Sequence, residues 1–215
     1  MAPRSRLLGV ILAGGANRRY GSHKALARIG GRTILERTID ALAPTVRHAV
    51  IVANEPELYR GYGPEVRPDV RPGHGVLGGI LTAVGWAAEE RCEAALVLGC
   101  DMPFLPTSLL ARIAEEAGPE GVTVPASDGR RGFEPLCAAY GIGTREQMEA
   151  ALDRGERKVI SFFPHVPVRI VDFDTVNRFG DPSRMFLNVN RPEDRERAER
   201  LASGGAGPTG GEGLP

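Results

Sequence analysis

Residues 7–24 read LLGVILAGGANRRYGSHK, and this stretch decides the fold class. Its first part, Leu7–Leu12, is short, continuously apolar and followed by glycines, which is typical of a β-strand buried on both faces. Further apolar runs predict four more strands: His48–Ala53, Ala94–Leu98, Val122–Val124 and Val168–Val171. The first of the five strands therefore leads directly into a glycine- and arginine-rich turn.

Amphipathic helices are predicted between these strands. They are Thr33–Ala43, Gly78–Glu89 and Thr107–Ala117. Strands that alternate with helices predict an α/β protein, here a three-layer, Rossmann-like fold whose mostly parallel sheet has helices on both faces. Such sheets bind ligands beyond the carboxyl ends of their strands. The residues that follow each strand are therefore the candidates for function.

The pattern predicts a single domain over residues 7–202, with flexible termini at 1–6 and 203–215, because the glycine-rich tail has too few apolar groups to fold. Between Phe133 and Phe163 the pattern loosens, and an inserted strand pair with a small helical lobe is expected. A last helix is expected over Pro192–Ala202, with Pro192 in its first turn.

The charge balance argues against nucleic acid and membranes as partners. The 27 basic and 27 acidic residues cancel, so no global field attracts polyanions. The three cysteines (Cys92, Cys100 and Cys137) form no CxxC pair, which argues against a disulfide framework or zinc site and for a reducing cytoplasmic location. The basic start is followed by too short an apolar run for a signal peptide or membrane span.

The turn after the first strand has the composition of an anion-binding site. Gly14 and Gly15 let backbone N–H groups approach a phosphate, and Arg18, Arg19 and Lys24 add positive charge. The spacing fits neither a Walker A loop nor the GxGxxG fingerprint. A tight turn with its arginines in solvent is the alternative interpretation.

A carboxylate and a second glycine cluster follow other elements. Asp101 comes directly after the strand Ala94–Leu98, where it would face the ligand crevice and could bind a divalent cation. The alternative is that Asp101 caps a turn. The segment Gly73–Gly79 leads into a helix and offers backbone groups to a flat purine, or else serves only close helix–sheet packing.

These motifs together resemble a known family. The string LAGGxxxRxGxxK from Leu12 is similar to the opening signature of nucleotidyltransferases, and within them to the molybdenum cofactor guanylyltransferase family. Tyr20 and Val76 depart from the family pattern. The family's CDxPxxP motif matches Cys100 to Pro106, and its NVNxPED motif matches Asn188 to Asp194. The segment Phe133–Ala138 (FEPLCA) is similar to a strand of the family that follows a flexible loop.

The resemblance implies roles for individual residues. Catalytic roles fall to Arg19, Lys24 and Asp101, and Asp101 would also bind Mg²⁺. Nucleotide contacts fall to Leu12, Ala13, Gly14, Gly15, Lys24, Asn54, Asp69, Gly75, Leu77, Gly78 and Asp101. Asn188 and Asn190 would lie on the acceptor side, and their alternation with Leu187 and Val189 would point both to one face of a strand.

The implied reaction is transfer of GMP from GTP to the phosphate of a molybdenum–molybdopterin acceptor, with Mg²⁺ as cofactor and pyrophosphate as the second product. Transient contact with proteins of cofactor biosynthesis or with acceptor apoenzymes belongs to the same expectation. Two alternatives stay open: a cytidylyltransferase or sugar-phosphate nucleotidyltransferase on the same scaffold, and a nucleotide-binding module without catalysis.

Overall fold

The computed structural model describes residues 6–13, 24–129 and 132–204. Its strands are β1 Leu7–Leu12, β2 Arg28–Ile29, β3 Arg32–Thr33, β4 His48–Val52, β5 Glu65–Arg67, β6 Ala94–Gly99, β7 Val122–Pro125, β8 Cys137–Gly141 and β9 Val168–Val171. Its α-helices are α1 Ile34–Leu42, α2 Gly75–Glu89, α3 Thr107–Glu116, α4 Arg145–Asp153, α5 Phe173–Asn177, α6 Pro182–Met185 and α7 Pro192–Ser203. Short 3₁₀ helices cover Lys24–Leu26, Pro56–Leu58, Ile142–Thr144 and Val159–His165.

Seven of these strands form one sheet in the order β5-β4-β1-β6-β8-β7-β9. Parallel pairing joins β5 to β4, β4 to β1, β1 to β6, and β7 to β9. The strand β8 runs antiparallel to both of its neighbours. Strands β2 and β3 form a separate hairpin. The mostly parallel α/β sheet predicted from the sequence is confirmed.

Helices cover both faces of the sheet, because alternate residues of each central strand point to opposite sides. Leu7 and Ile11 of β1 pack in a core with side chains of α1 and α3. Leu8 and Val10 pack on the other face with side chains of α2 and α4. A third, smaller cluster joins the β2–β3 hairpin to α7. This three-layer packing holds the carboxyl ends of β1, β4, β5 and β6 along one edge.

Local chemistry sets several element boundaries. Thr33 caps α1 through a capping box, in which its hydroxyl accepts from the Glu36 N–H and the Glu36 carboxylate accepts from the Thr33 N–H. The helix predicted from Gly78 begins three residues earlier, at Gly75. The last helix extends through Ser203. Near the other terminus, the Arg6 guanidinium pairs with the Glu93 carboxylate at an N–O distance of 3.0 Å. The other terminal residues, 1–5 and 205–215, lie outside the described part of the chain.

Two local predictions are wrong. Between Phe133 and Phe163 the described chain has one strand, β8, rather than an inserted pair, and β8 completes the main sheet beside β6. The strand expected from Phe133 begins only at Cys137, because a turn precedes it in which the Glu134 carboxylate accepts from the Leu136 N–H at 3.2 Å. The expected helical lobe is present as α4 and the adjacent 3₁₀ helices.

The asparagines of the closing motif do not lie on a strand. Leu187 and Val189 are buried, while Asn188 is half-buried and Asn190 exposed, so the predicted alternation survives in an irregular segment. The Val189 N–H donates to the carbonyl of Asp101 at 2.8 Å. This backbone bond joins the segment to the residues just after β6.

Candidate active site

A cavity of about 750 Å³ lies beyond the carboxyl ends of β1, β4, β5 and β6. This is within the usual size range of small-molecule sites. It is lined by Leu12, Ala13, Lys24, Val52, Ala53, Asn54, Glu55, Tyr59, Asp69, Gly73, Gly75, Val76, Gly79, Gly99, Cys100, Asp101 and Leu136. Seven of the residues expected to contact a nucleotide are therefore brought to one cavity: Leu12, Ala13, Lys24, Asn54, Asp69, Gly75 and Asp101.

A lysine, a carboxylate and an amide meet at the end of β6. Lys24 Nζ donates to Asp101 Oδ2 at 2.8 Å and to Asn190 Oδ1 at 2.5 Å. The side chains of Lys24 and Asp101 are only 17% and 13% exposed, so water screens this ion pair weakly. Three residues from distant parts of the sequence are thus joined by the two hydrogen bonds of the Lys24 ammonium group.

The two oxygens of the Asp101 carboxylate differ in their contacts. Its Oδ1 is buried and has no hydrogen-bond partner among the described residues. A buried carboxylate oxygen without a partner is costly unless a ligand completes it. The described chain contains no group of three or more His, Cys, Asp or Glu side chains that could hold a metal ion alone. Asp101 therefore fits a cation such as Mg²⁺, which commonly takes one or two protein carboxylates and completes its shell with phosphate oxygens and water.

The glycine before this motif lies close to the Asp101 carboxylate. A Cβ atom added to Gly99 would lie 2.7 Å from Asp101 Oδ1 and 3.3 Å from side-chain atoms of Leu136. No Cβ atom makes a contact of 2.7 Å without a shift of its neighbours. Gly99 thus leaves room for the carboxylate that faces the cavity.

The next residue, Cys100, lines the same cavity. Burial, with a smaller contribution from the charge of Asp101, raises the pKa of its thiol to about 12. The sulfur is therefore protonated at neutral pH in this environment.

The start of α2 forms another wall of the cavity. Gly73 and Gly75 adopt φ angles of +83° and +65°, which residues other than glycine rarely adopt. The first N–H groups of a helix lack intrahelical acceptors, so this end of α2 offers donors to an anionic or polar ligand. Val76 lines the cavity and is 41% exposed, although its side chain is apolar.

Two predicted contact residues of α2 lie elsewhere. The Leu77 side chain is fully buried against the sheet, in the core shared by α2 and α4. A Cβ at Gly78 would lie 2.9 Å from the carbonyl oxygen of Arg71. Gly78 therefore faces the segment that follows β5 and not the cavity. Asn188 donates its side-chain N–H to the carbonyl of Phe186 at 3.1 Å, so that amide is engaged locally.

Tyr59 lines the cavity but carries no motif signal. It is 2% exposed, and its hydroxyl donates to the carbonyl of Ala13 at 3.2 Å. Burial raises the pKa of Tyr59 to about 12, so the hydroxyl stays protonated and remains a donor. Sequence reasoning missed Tyr59 because it lies between β4 and β5, 46 residues from its partner. An aromatic residue close after a strand end was the only available signal.

Three residues expected at the phosphate-binding turn, Gly14, Gly15 and Arg19, lie outside the described residues, as does Arg18. The described chain reaches the turn from both sides, at Ala13 and at Lys24. Both of these flanking residues line the cavity. The geometry of the site thus brings a cation, a carboxylate with a free oxygen and a helix N-terminus to one edge of an α/β sheet.

A family profile described as the MobA-like NTP transferase domain matches residues 9–168. The chain belongs to this family. It is 35% identical over 196 residues to a probable molybdenum cofactor guanylyltransferase of Pelotomaculum thermopropionicum, covering 90% of this chain and 92% of that protein. It is also 36% identical over 198 residues to the molybdenum cofactor guanylyltransferase of Cereibacter sphaeroides, covering 91% and 97% of the two chains.

Two solved structures superpose on this chain. The molybdopterin-guanine dinucleotide biosynthesis protein A of Archaeoglobus fulgidus superposes with a TM-score of 0.74 at 26% identity, covering 92% of this chain and 99% of that one. The 2-C-methyl-D-erythritol 4-phosphate cytidylyltransferase of Thermus thermophilus superposes with a TM-score of 0.65 at 19% identity, over 90% and 98% of the two chains. This second likeness shows the shared fold alone. Membership of the MobA-like NTP transferase family identifies the chain as a nucleotidyltransferase. No helix in the described part of the chain combines the length and apolar character that a membrane crossing requires.

Proposed function

We propose that this chain transfers GMP from GTP to the phosphate of a molybdenum–molybdopterin acceptor and releases pyrophosphate. The observation that carries the proposal is the contact of Lys24, Asp101 and Asn190 in the cavity beyond β6. It joins the cation and the carboxylate implied by the sequence motifs. The names of the similar proteins support guanine as the base and molybdopterin as the acceptor class.

The charged residues have distinct tasks in this proposal. Lys24 and Arg19 bind the triphosphate, and the backbone at Gly14 and Gly15 lines it. Asp101 would hold Mg²⁺, since its Oδ1 has no hydrogen-bond partner among the described residues. When bound, Mg²⁺ neutralises negative charge on the triphosphate and on the departing pyrophosphate. Asn190 keeps Lys24 at the carboxylate before the nucleotide arrives. Phosphate oxygens of GTP then compete with Asp101 for the ammonium group.

The acceptor needs no general base from the protein. A phosphate monoester has a second pKa near 6, about the value known for phosphorylated side chains, so it is already an anionic nucleophile at neutral pH. Its oxygen attacks the α-phosphorus, the bond to the β-phosphate oxygen breaks, and pyrophosphate leaves with that electron pair. The protein aligns the two anions and compensates their charge. We place the acceptor on the side of Asn188 and Asn190, beside Asp101.

The other residues of the cavity hold the nucleoside part of GTP in this proposal. Asp69 follows β5, at the far end of the cavity from Asp101, and Asn54 follows β4, between them. Gly75 and its neighbours at the start of α2 present backbone groups to the base. Contact with cofactor-biosynthesis proteins or acceptor apoenzymes belongs to the proposal as the route by which acceptor and product travel.

A titration of the protein with GTP, CTP and ATP in the presence of Mg²⁺, followed by pyrophosphate release with molybdopterin acceptor, tests the proposal. We expect calorimetric binding of GTP that depends on Mg²⁺, and pyrophosphate release only when GTP and acceptor are both present. Tight binding of CTP without response to GTP would establish a cytidylyltransferase instead. Binding of GTP without any pyrophosphate release would indicate a nucleotide-binding module.

A further inference from the structure

Thr82 is a buried polar residue that the proposed reaction does not use. It lies in the middle of α2 and is 1% exposed. Its hydroxyl donates to Asp69 Oδ1 at 2.7 Å and accepts from the Val70 N–H at 3.3 Å. A buried hydroxyl whose donor and acceptor functions are both satisfied by one loop holds that loop in one position. The loop in question carries Asp69, which lines the cavity.

The helix surface around Thr82 is shaped for this loop. Gly78 lies four residues before Thr82, hence on the same face of α2. Its missing side chain lets the Arg71 carbonyl approach, since a Cβ there would lie 2.9 Å from that oxygen. The Arg71 N–H also donates to Asp69 Oδ1 at 2.9 Å.

Among the described residues, the hydrogen bonds to the Asp69 carboxylate are both made to one of its oxygens, Oδ1. Oδ1 accepts from both the Thr82 hydroxyl and the Arg71 N–H. With Oδ1 engaged in this way, the rotation of the carboxyl group is restricted, so the direction of Oδ2 is set as well. A carboxylate with one oxygen fixed by the protein presents the other as an acceptor for ligand donors.

The strand order places Asp69 and Asp101 at opposite ends of the cavity. Asp69 follows β5 and Asp101 follows β6, with β4 and β1 between these strands. Three strand spacings of about 4.8 Å separate the two strand ends by roughly 14 Å. A nucleotide whose phosphates lie at Lys24 and Asp101 therefore extends its nucleoside toward Asp69.

We infer that Thr82 is a positioning residue, which orients the Asp69 carboxylate toward the hydrogen-bond donors of a bound nucleoside. This inference rests on the proposed nucleotide site. It assigns Thr82 an effect on the nucleoside end of the ligand only, because its contacts do not extend to Lys24 or Asp101. An acceptor such as Asp69 Oδ2 suits the hydroxyl and N–H groups of a guanosine.

The variant Thr82→Val tests the inference, because it removes the hydroxyl and keeps the shape of the side chain. Calorimetry with GTP and Mg²⁺ should show a dissociation constant raised about tenfold, the effect of one hydrogen bond to a charged group. Inorganic tripolyphosphate, which has no nucleoside, should bind to parent and variant equally. Thr82→Ser, which keeps the hydroxyl, should restore the affinity for GTP.

Thr38→Val is the matched control. Thr38 is also a buried helical threonine, 2% exposed, and its hydroxyl donates to the Ile34 carbonyl at 2.9 Å, outside the cavity lining. This variant should bind GTP as the parent does. A GTP affinity in Thr82→Val equal to that of the parent, or an equal loss of tripolyphosphate and GTP affinity, would overturn the inference. A loss of GTP affinity in Thr38→Val as large as in Thr82→Val would do the same.

A second variant keeps the test decisive if Thr82→Val unfolds. Asp69→Asn should weaken GTP binding and leave tripolyphosphate binding unchanged. Where Thr82→Val does fold, the double variant Thr82→Val/Asp69→Asn should bind GTP no more weakly than Asp69→Asn alone. Unchanged GTP binding in Asp69→Asn would leave Thr82 without a target and refute the inference. Failure of the parent itself to bind GTP would instead refute the proposed function, so the two failures are distinguishable.

Discussion

Replacing Asp101 by asparagine removes one negative charge and keeps the shape of the side chain. In the parent, Asp101 Oδ2 accepts from Lys24 at 2.8 Å, and the buried Oδ1 is free to bind a cation. An amide cannot neutralise a divalent cation. We expect the rate of GMP transfer to fall by about 10²- to 10³-fold, which corresponds to ~3–4 kcal/mol of transition-state stabilisation.

The fold should survive this substitution. The Lys24–Asp101 pair is mostly shielded from water, so its value lies between those of surface pairs and fully buried pairs. The amide oxygen of the new side chain would still accept from Lys24, and its NH₂ group would occupy the position of the unpartnered oxygen. The loss of stability should therefore not exceed about 1–2 kcal/mol, and each kcal/mol lowers the melting temperature by roughly 2–4 °C in a protein of this size.

Pyrophosphate release with GTP, Mg²⁺ and acceptor measures the first effect, and a thermal melt followed by circular dichroism measures the second. Asp40→Asn is the control, since Asp40 is an exposed carboxylate on α1 that pairs with Arg32 outside the cavity lining. That variant should keep the parental rate. A near-normal rate of transfer in Asp101→Asn would refute the assignment of Asp101 and the mechanism with it.

Three further substitutions test the surroundings of this carboxylate. Lys24→Gln should raise the dissociation constants of GTP and tripolyphosphate alike by about tenfold or more in calorimetry, because a charge-assisted contact to phosphate is lost. Gly99→Ala should lower the transfer rate and cost about 1–3 kcal/mol in denaturant unfolding, since its Cβ would lie 2.7 Å from Asp101 Oδ1. Burial raises the pKa of Tyr59 from 10.0 to about 12, so the unfolded chain loses this proton first. The free energy of unfolding should fall as pH rises from about 10 toward about 12, and Tyr59→Phe should reduce that fall in denaturant titrations at each pH.

The sequence by itself determined the fold class and the places where function would concentrate. Short apolar runs ended at Leu12 and near Leu98, and a parallel sheet brings such ends to one edge. The motifs around Asp101 and the first turn then indicated the family, which the comparisons confirm. Local patterns suffice for these conclusions because burial, glycine content and strand length are properties of neighbouring residues.

Only the tertiary structure decided how the candidate residues meet. Lys24 contacts Asp101 across 77 positions and Asn190 across 166 positions, and Thr82 reaches Asp69 from a different element. The tertiary structure also places β8 antiparallel between β6 and β7, where the sequence had predicted an inserted pair of strands. Side-chain hydrogen bonds between distant segments and the direction of a strand depend on which elements pack together, and a local pattern contains no information on that choice.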